Sequence, residues 1–159
     1  GIKYYSGTAV YRTAFSAPAG MAGRSVALDL GNVLYIARVK LNGRDLGVVW
    51  CAPWRIAIPP IVLRESDNEL EIEITNVWAN RLIGDDLEPD DCVWLHPDTA
   101  QTPLHEKDQY LKEFPDWFLQ GQPRPSQRRY CFTTWNYATK VLMPSGLVGP
   151  VRLVEARTR

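Results

Sequence analysis

The chain has 159 residues, enough for one domain with a sizeable core. Hydrophobic residues make up 45% and charged residues 23%, the balance of an ordinary folded protein. Eighteen Lys and Arg against eighteen Asp and Glu leave no net charge, which argues against a nucleic acid or membrane partner, since such binding needs a concentrated basic face.

Arg124, Arg128 and Arg129 form the one dense basic stretch, too short for a polybasic tract. No apolar run approaches the ~20 residues that cross a bilayer. With no initiator Met and an end on Ala156-Arg157-Thr158-Arg159, the chain reads as a domain excised from a longer one. Cys51, Cys92 and Cys131 are an odd set without C-x-x-C spacing. Buried or half-buried free thiols are expected rather than a disulfide framework or zinc cluster.

Thr8 to Phe15 alternates, with Ala9, Tyr11, Thr13 and Phe15 on one face. Ser25 to Leu30 alternates too, placing Val26, Leu28 and Leu30 inward and Asp29 outward. Tyr35, Ala37, Val39 and Leu41 share a face, with Arg38 and Lys40 opposite. Period two predicts strands with one wet side. Asn42-Gly43 predicts a type I′ hairpin turn, whose two central residues need positive φ. The returning strand is Asp45 to Trp50, and a further run, Arg55 to Ile58, stops at Pro59-Pro60. From Glu69 to Thr75 the pattern is cleanest: Leu70, Ile72 and Ile74 point one way, the three Glu and Thr75 the other. Ser66-Asp67-Asn68 supplies the turn before it. No long segment has helical spacing.

Periodicity vanishes from Asp85 to Gln127, which holds six of the twelve prolines together with Trp94, Phe114, Trp117 and Phe118. The aromatics argue for order, so an insertion over 86–127 clasping one end of a sandwich is expected, with a helical turn around Glu106 to Phe114. Strand pattern returns at Tyr130 to Trp135 and closes around Val151 and Leu153, the last strand pairing near the first. About eight short strands with turn signals every 8–12 residues predict an all-β sandwich, read as a single domain over 1–159.

Six tryptophans are a high load, and Trp50, Trp54, Trp78, Trp94 and Trp117 sit in or beside predicted loops. An exposed ring beside Asn, Arg or Asp can stack on the apolar face of a sugar. The same rings can equally cap the core or dock a neighbouring domain. Asp85, Asp86, Glu88, Asp90 and Asp91 offer hard oxygen ligands, so calcium is the candidate metal at Asp85, Asp86, Asp90 and Asp91. They lack the D-x-D-x-D-G spacing of an EF-hand, and a solvated acidic turn fits them too. A glycosidase acid/base pair would need two such carboxyls flanking a sugar. His96 and His105, the two histidines, form no H-E-x-x-H, and no Ser lies in a G-x-S-x-G elbow.

Gly7-Thr8-Ala9-Val10-Tyr11-Arg12-Thr13-Ala14-Phe15 resembles the opening strand of the sugar-binding jelly-roll domain of family 2 glycoside hydrolases. Val39-Lys40-Leu41-Asn42-Gly43-Arg44-Asp45-Leu46-Gly47 resembles that family's central hairpin. Ile74-Thr75-Asn76-Val77-Trp78-Ala79-Asn80-Arg81-Leu82-Ile83-Gly84-Asp85, with Thr133-Thr134-Trp135 and Pro144-Ser145-Gly146-Leu147-Val148-Gly149-Pro150-Val151, is similar to the C-terminal domain of family 106 α-L-rhamnosidases.

The resemblance covers nearly the whole chain and implies a galactose-binding-domain-like jelly roll. In such enzymes the chemistry belongs to a separate (β/α)-barrel. The implied role is a non-catalytic accessory domain, bacterial and periplasmic or extracellular, whose partners are the catalytic barrel and a glycan. An autonomous carbohydrate-binding module and a small glycosidase are the alternatives. By the same resemblance Trp78, Asn80, Arg81 and Asp85 leave one strand, and Thr134, Trp135 and Asn136 another, at the end facing the barrel. Trp50 and Trp54 complete the candidate sugar or interdomain surface. Arg81 either meets such a partner or bonds Asp85 and locks the corner.

Overall fold

The structure is a computed structural model that describes residues 2–95, 110–128 and 141–156, side chains 94, 95 and 110 excepted. The strand predicted over Tyr130 to Trp135, Cys131, His96, His105 and Trp135 lie outside the described residues. The chain falls into two compact units, 7–77 with 144–159, and 78–143 with 1–6. The insertion expected over 86–127 is thus part of a unit that starts at Trp78 and includes the first six residues.

The unit of 7–77 and 144–159 is an antiparallel β-sandwich. Its first sheet has the order β1 (Thr8–Phe15), β7 (Asn68–Thr75), β4 (Ile36–Leu41), β5 (Arg44–Val49). The second layer pairs β11 (Arg152–Glu155) with β2 (Val26–Asp29) and β2 with β6 (Arg55–Ile58). A two-stranded ladder joins β10 (Gly146–Gly149) to β3 (Asn32–Leu34). The closing strand therefore pairs with β2, not with the first strand: Leu153 lies opposite Leu28. There Leu153 packs against the core.

Period-two sequence translates directly into burial. Ile72, Ile74 and Leu70 of β7 are buried, as are Ala37, Val39 and Leu41 of β4. They meet Val26, Leu28, Leu30, Val33 and Ile58 of the other layer in one core. On the wet side of the first sheet, opposite charges sit across neighbouring strands. Lys40 bridges Glu71 at 2.9 Å and Glu73 at 2.6 Å, and Arg12 donates to Glu71 at 2.7 Å. Lys40, then Arg12, holds the Glu71 carboxyl below its ordinary range. Arg38 pairs with Asp45 at 2.6 Å in the same manner.

Asn42 and Gly43 have φ of 51° and 77°, the left-handed pair of a type I′ turn. Asn42 does more than turn. Its amide donates to the Val62 carbonyl and to Asn68 Oδ1, while its own Oδ1 accepts from Glu69 N. Asn68 is fully buried and also bonds Arg64 through both side-chain atoms, so the hairpin tip is tied to the start of β7. Every buried side-chain polar atom among the described residues has a partner, as interiors require.

β1 departs from the pattern. It forms over the predicted span, yet Tyr11 and Thr13, on the face expected to be inward, are exposed, and Phe15 is only half-buried. They line an open cavity of about 580 Å³ with Leu28, Leu70 and Ile72.

The other unit contains a 3-10 turn (Ile2–Tyr4), helix α1 (Ala79–Asp85), the short strands β8 (Trp94–Leu95) and β9 (Tyr110–Leu111), and helix α2 (Asp116–Leu119). Of the helical turn expected around Glu106 to Phe114, the described part, 110–114, is not helical. Tyr110 and Leu111 pair with β8, and the helical turn follows Pro115, whose fixed φ suits a helix start. Residues 106–109 lie outside the described set.

Candidate functional site

α1 follows directly where β7 leaves the sheet. Ala79, Leu82 and Ile83 have the i, i+3, i+4 spacing of one apolar helix face, and all three are buried. Two turns are too short for periodicity to announce itself, so this helix is not anticipated from sequence. Gly84 lies against the N-terminal turn: a Cβ there would fall 2.6 Å from the Tyr4 ring.

Asn80 is buried and clamps the Met143 backbone from both sides. It donates from Nδ2 to the carbonyl at 2.8 Å and accepts the amide at 2.7 Å. Arg81 bonds Asp85 one turn on, with Nε to Oδ1 at 2.7 Å and a second contact from a terminal nitrogen. Its remaining reach goes to the Gln127 carbonyl at 2.9 Å. Asp85 is 4% exposed. Asn80, Arg81 and Asp85 therefore face into their own unit, the corner-locking arrangement. Trp78, which opens the helix, is 65% exposed.

Two further arginines organise the following loop, and their role is invisible in sequence. Arg124 forks onto Asp91 at 2.5 and 2.9 Å, Ser126 adds a hydroxyl bond at 2.5 Å, and Trp117 donates its indole N–H to the Asp91 carbonyl. The Arg124 guanidinium also stands 5.3 Å from the Trp117 ring. Arg124, with help from Ser126, holds the Asp91 carboxyl below its ordinary range against the opposing effect of burial. Arg128, 9% exposed, donates to the Glu88 and Pro89 carbonyls and to Asp90. From sequence these residues read only as a dense basic stretch; their partners lie 33 to 40 positions away.

The candidate calcium ligands are not brought together. Asp85 faces Arg81, Asp90 faces Arg128 and Asp91 faces Arg124. Asp86 is half-buried and gives its backbone amide to the Leu82 carbonyl. Among the described residues no three His, Cys, Asp or Glu form a metal-sized group. Cys51 is exposed, correcting the expectation of a sheltered thiol, because it lies in the loop after β5 and outside the core. Cys92 is half-buried, and burial, then the Asp91 charge, pushes its thiol up, away from reactive thiolate.

The described candidate tryptophans divide by environment. Trp54 packs against the sandwich core, and its carbonyl accepts from Leu30 N at 2.8 Å. Trp50, at the end of β5, is 71% exposed. On the wet face of the first sheet it continues a partly apolar strip with Val48 and Ile36, 54% and 44% exposed. Trp135 lies outside the described residues. Among the described residues no helix is long and apolar enough to cross a membrane.

No protein-family model matches the chain. The chain is 39% identical over 157 residues to a protein of Formosa agariphila named "Putative beta-glucuronidase". That alignment takes in 96% of this chain and 12% of the relative. The solved rhamnosidase from Novosphingobium sp. PP1Y is 35% identical with a TM-score of 0.61, over 95% of this chain and 11% of the rhamnosidase. The chain thus spans about an eighth of the curated relative it matches.

Proposed function

We propose that this chain is a non-catalytic accessory domain of a larger glycoside hydrolase, seated on the catalytic barrel and shaping its cleft. One observation carries the reading: nearly the whole chain aligns within a small fraction of much longer proteins named as glycosidases. A parent of the α-L-rhamnosidase or β-galactosidase type fits the sequence resemblance, and the rhamnosidase similarity supports the first of these.

The state of the acidic residues supports the same reading. A glycosidase general acid needs a carboxyl kept protonated near neutrality, which burial without a cation provides. Asp85 and Asp91 are buried beside arginines, and Asp91 is held ionised instead.

Trp50 and Trp78 present enough ring surface to water to meet a sugar or the barrel. That exposure is also what favours the second reading, an autonomous carbohydrate-binding module. The test introduces Trp78→Ala and Trp50→Ala into the full-length enzyme and compares turnover of aryl glycosides with thermal stability. Reduced turnover at unchanged stability is expected for at least one ring. Hydrolysis by the 159-residue chain alone, abolished by Asp85→Ala or Asp91→Ala, would refute the accessory role.

A further inference from the structure

The first strand of the sandwich is left open on one side. β1 is an edge strand, bonded to β7 alone among the described residues. Its register is unbroken from Thr8 opposite Thr75 to Phe15 opposite Asn68. Just before it, the Gly7 carbonyl accepts from Asn76 N. Counting on by twos, Ala9, Tyr11, Thr13 and Phe15 aim their backbone groups at β7. Antiparallel geometry then turns the N–H and C=O groups of Val10, Arg12 and Ala14 away from the sheet. Among the described residues one of these six groups has another bond, the Ala14 carbonyl, a long one of 3.4 Å from the Thr13 hydroxyl.

Edge strands in folded proteins are normally blunted by edge charges, proline, a bulge, an inward-pointing charge or a covering loop. β1 carries one edge charge, Arg12, which Glu71 neutralises. It has no proline or bulge, and its inward residues are the uncharged Ala9, Tyr11, Thr13 and Phe15. Directly beneath them lies the cavity of about 580 Å³, walled by Leu28, Leu70, Ile72, Leu147 and Leu153. β11, on the far wall, is likewise the edge of its sheet. An apolar slot between two sheet edges suits a strand better than a globular surface, because a strand meets the backbone donors and fills the slot together. Among the described residues the lining has two charged side chains, Arg12 and Arg152, and no carboxylate. Glu71 already holds Arg12, and Arg152 sits opposite Asp29 in the β11–β2 register. Arg12 is thus engaged on the wet face, and among the described residues Arg152 is the charge left at the slot, so the rim is near neutral and suits a neutral or weakly acidic polar face.

We propose that the β1 edge and this slot receive an extended segment of the parent polypeptide, apolar at every second position and neutral or acidic between. The inference rests on the accessory-domain reading, in which most of the polypeptide lies outside these residues, as the relatives' lengths indicate.

Backbone hydrogen exchange tests it, comparing the full-length parent with the 159-residue chain at low concentration. The amides of Val10, Arg12 and Ala14 are expected to exchange fast in the isolated chain and at least ~10-fold slower in the parent. Those of β7 should be slow in both. Val10→Pro deletes one outward N–H without touching the β7 ladder. In the parent it should restore fast exchange at Arg12 while β7 stays protected. Tyr11→Lys places a charge in the slot and serves the same purpose where the proline variant unfolds β7.

Equal exchange of the three amides in parent and isolated chain overturns the proposal. So does protection already present in the isolated chain, or protection that grows with its concentration, which would indicate closure from within or a second copy. A parent lacking a glycosidase barrel sinks the functional reading whatever β1 does. A barrel-bearing parent with an unprotected β1 sinks this inference alone.

Discussion

The two units of the chain are held together by different physics. The sandwich buries fourteen apolar residues in one cluster, drawn from both layers and from the Val62-Leu63 turn. In the unit of 78–143 with 1–6, the described buried apolar residues are Ala79, Leu82 and Ile83, all on α1. Among its described residues the long-range ties are those of Arg81, Arg124 and Arg128, each bound to a carboxylate and, for two of them, to backbone carbonyls. An apolar core is non-directional and tolerates repacking. A charge network is directional and fails when one member is removed, because its partner is left buried and uncompensated. The sandwich should thus fail as a whole when its core is hollowed, and the other unit locally when one charge is lost.

The largest effect is expected from hollowing the sandwich. Ile74→Ala removes a side chain that is 1% exposed, near the end of β7 and opposite Ala9 and Ala37. A loss of about 3–4 kcal/mol should appear as a lower urea midpoint with exchange accelerated across both layers. Exchange that rises only near residue 74 would mean the layers do not share one cooperative core.

A smaller and more local effect is expected at Asp91. Its carboxyl is held below the ordinary value, so the Arg124 contact contributes stability that is fully present above the unfolded pKa of about 4. That contribution fades as pH falls further, through the folded-state value. Asp91→Asn should cost about 2 kcal/mol at neutral pH, read as faster exchange over 88–93 and 115–128 with the sandwich unchanged. It should also flatten the acid dependence of that unit's stability below pH ~4. An acid profile identical in the variant would show that another group controls it.

The smallest effect is expected at the hairpin tip. Gly43 has φ of +77°, and a Cβ there would meet nothing within 4 Å. Gly43→Val therefore meets backbone strain but no clash, and the melting curve should report a loss of about 1–2 kcal/mol. No shift at all would show that the turn relaxes without cost and that Asn42 alone, through Val62, Asn68 and Glu69, fixes the tip.

The same contrast separates what is legible in the amino-acid sequence from what is not. Period-two alternation determined β1, β2, β4 and β7, and the Asn42-Gly43 pair determined the hairpin, because each follows from the chain's own next-neighbour geometry. The inward sets of β2, β4 and β7 were readable for that reason. Tyr11 and Thr13 obey the same alternation and stay exposed, since alternation assigns a face but cannot say whether anything covers it. Only the tertiary structure decided that β11 joins β2, that Trp54 caps the core while Trp50 faces water, and that Arg124 meets Asp91 across 33 residues. A polar contact between distant residues leaves no period in the sequence. Its partners are fixed by where the fold carries them, and a carboxylate beside a guanidinium looks, in sequence, like any other acidic turn.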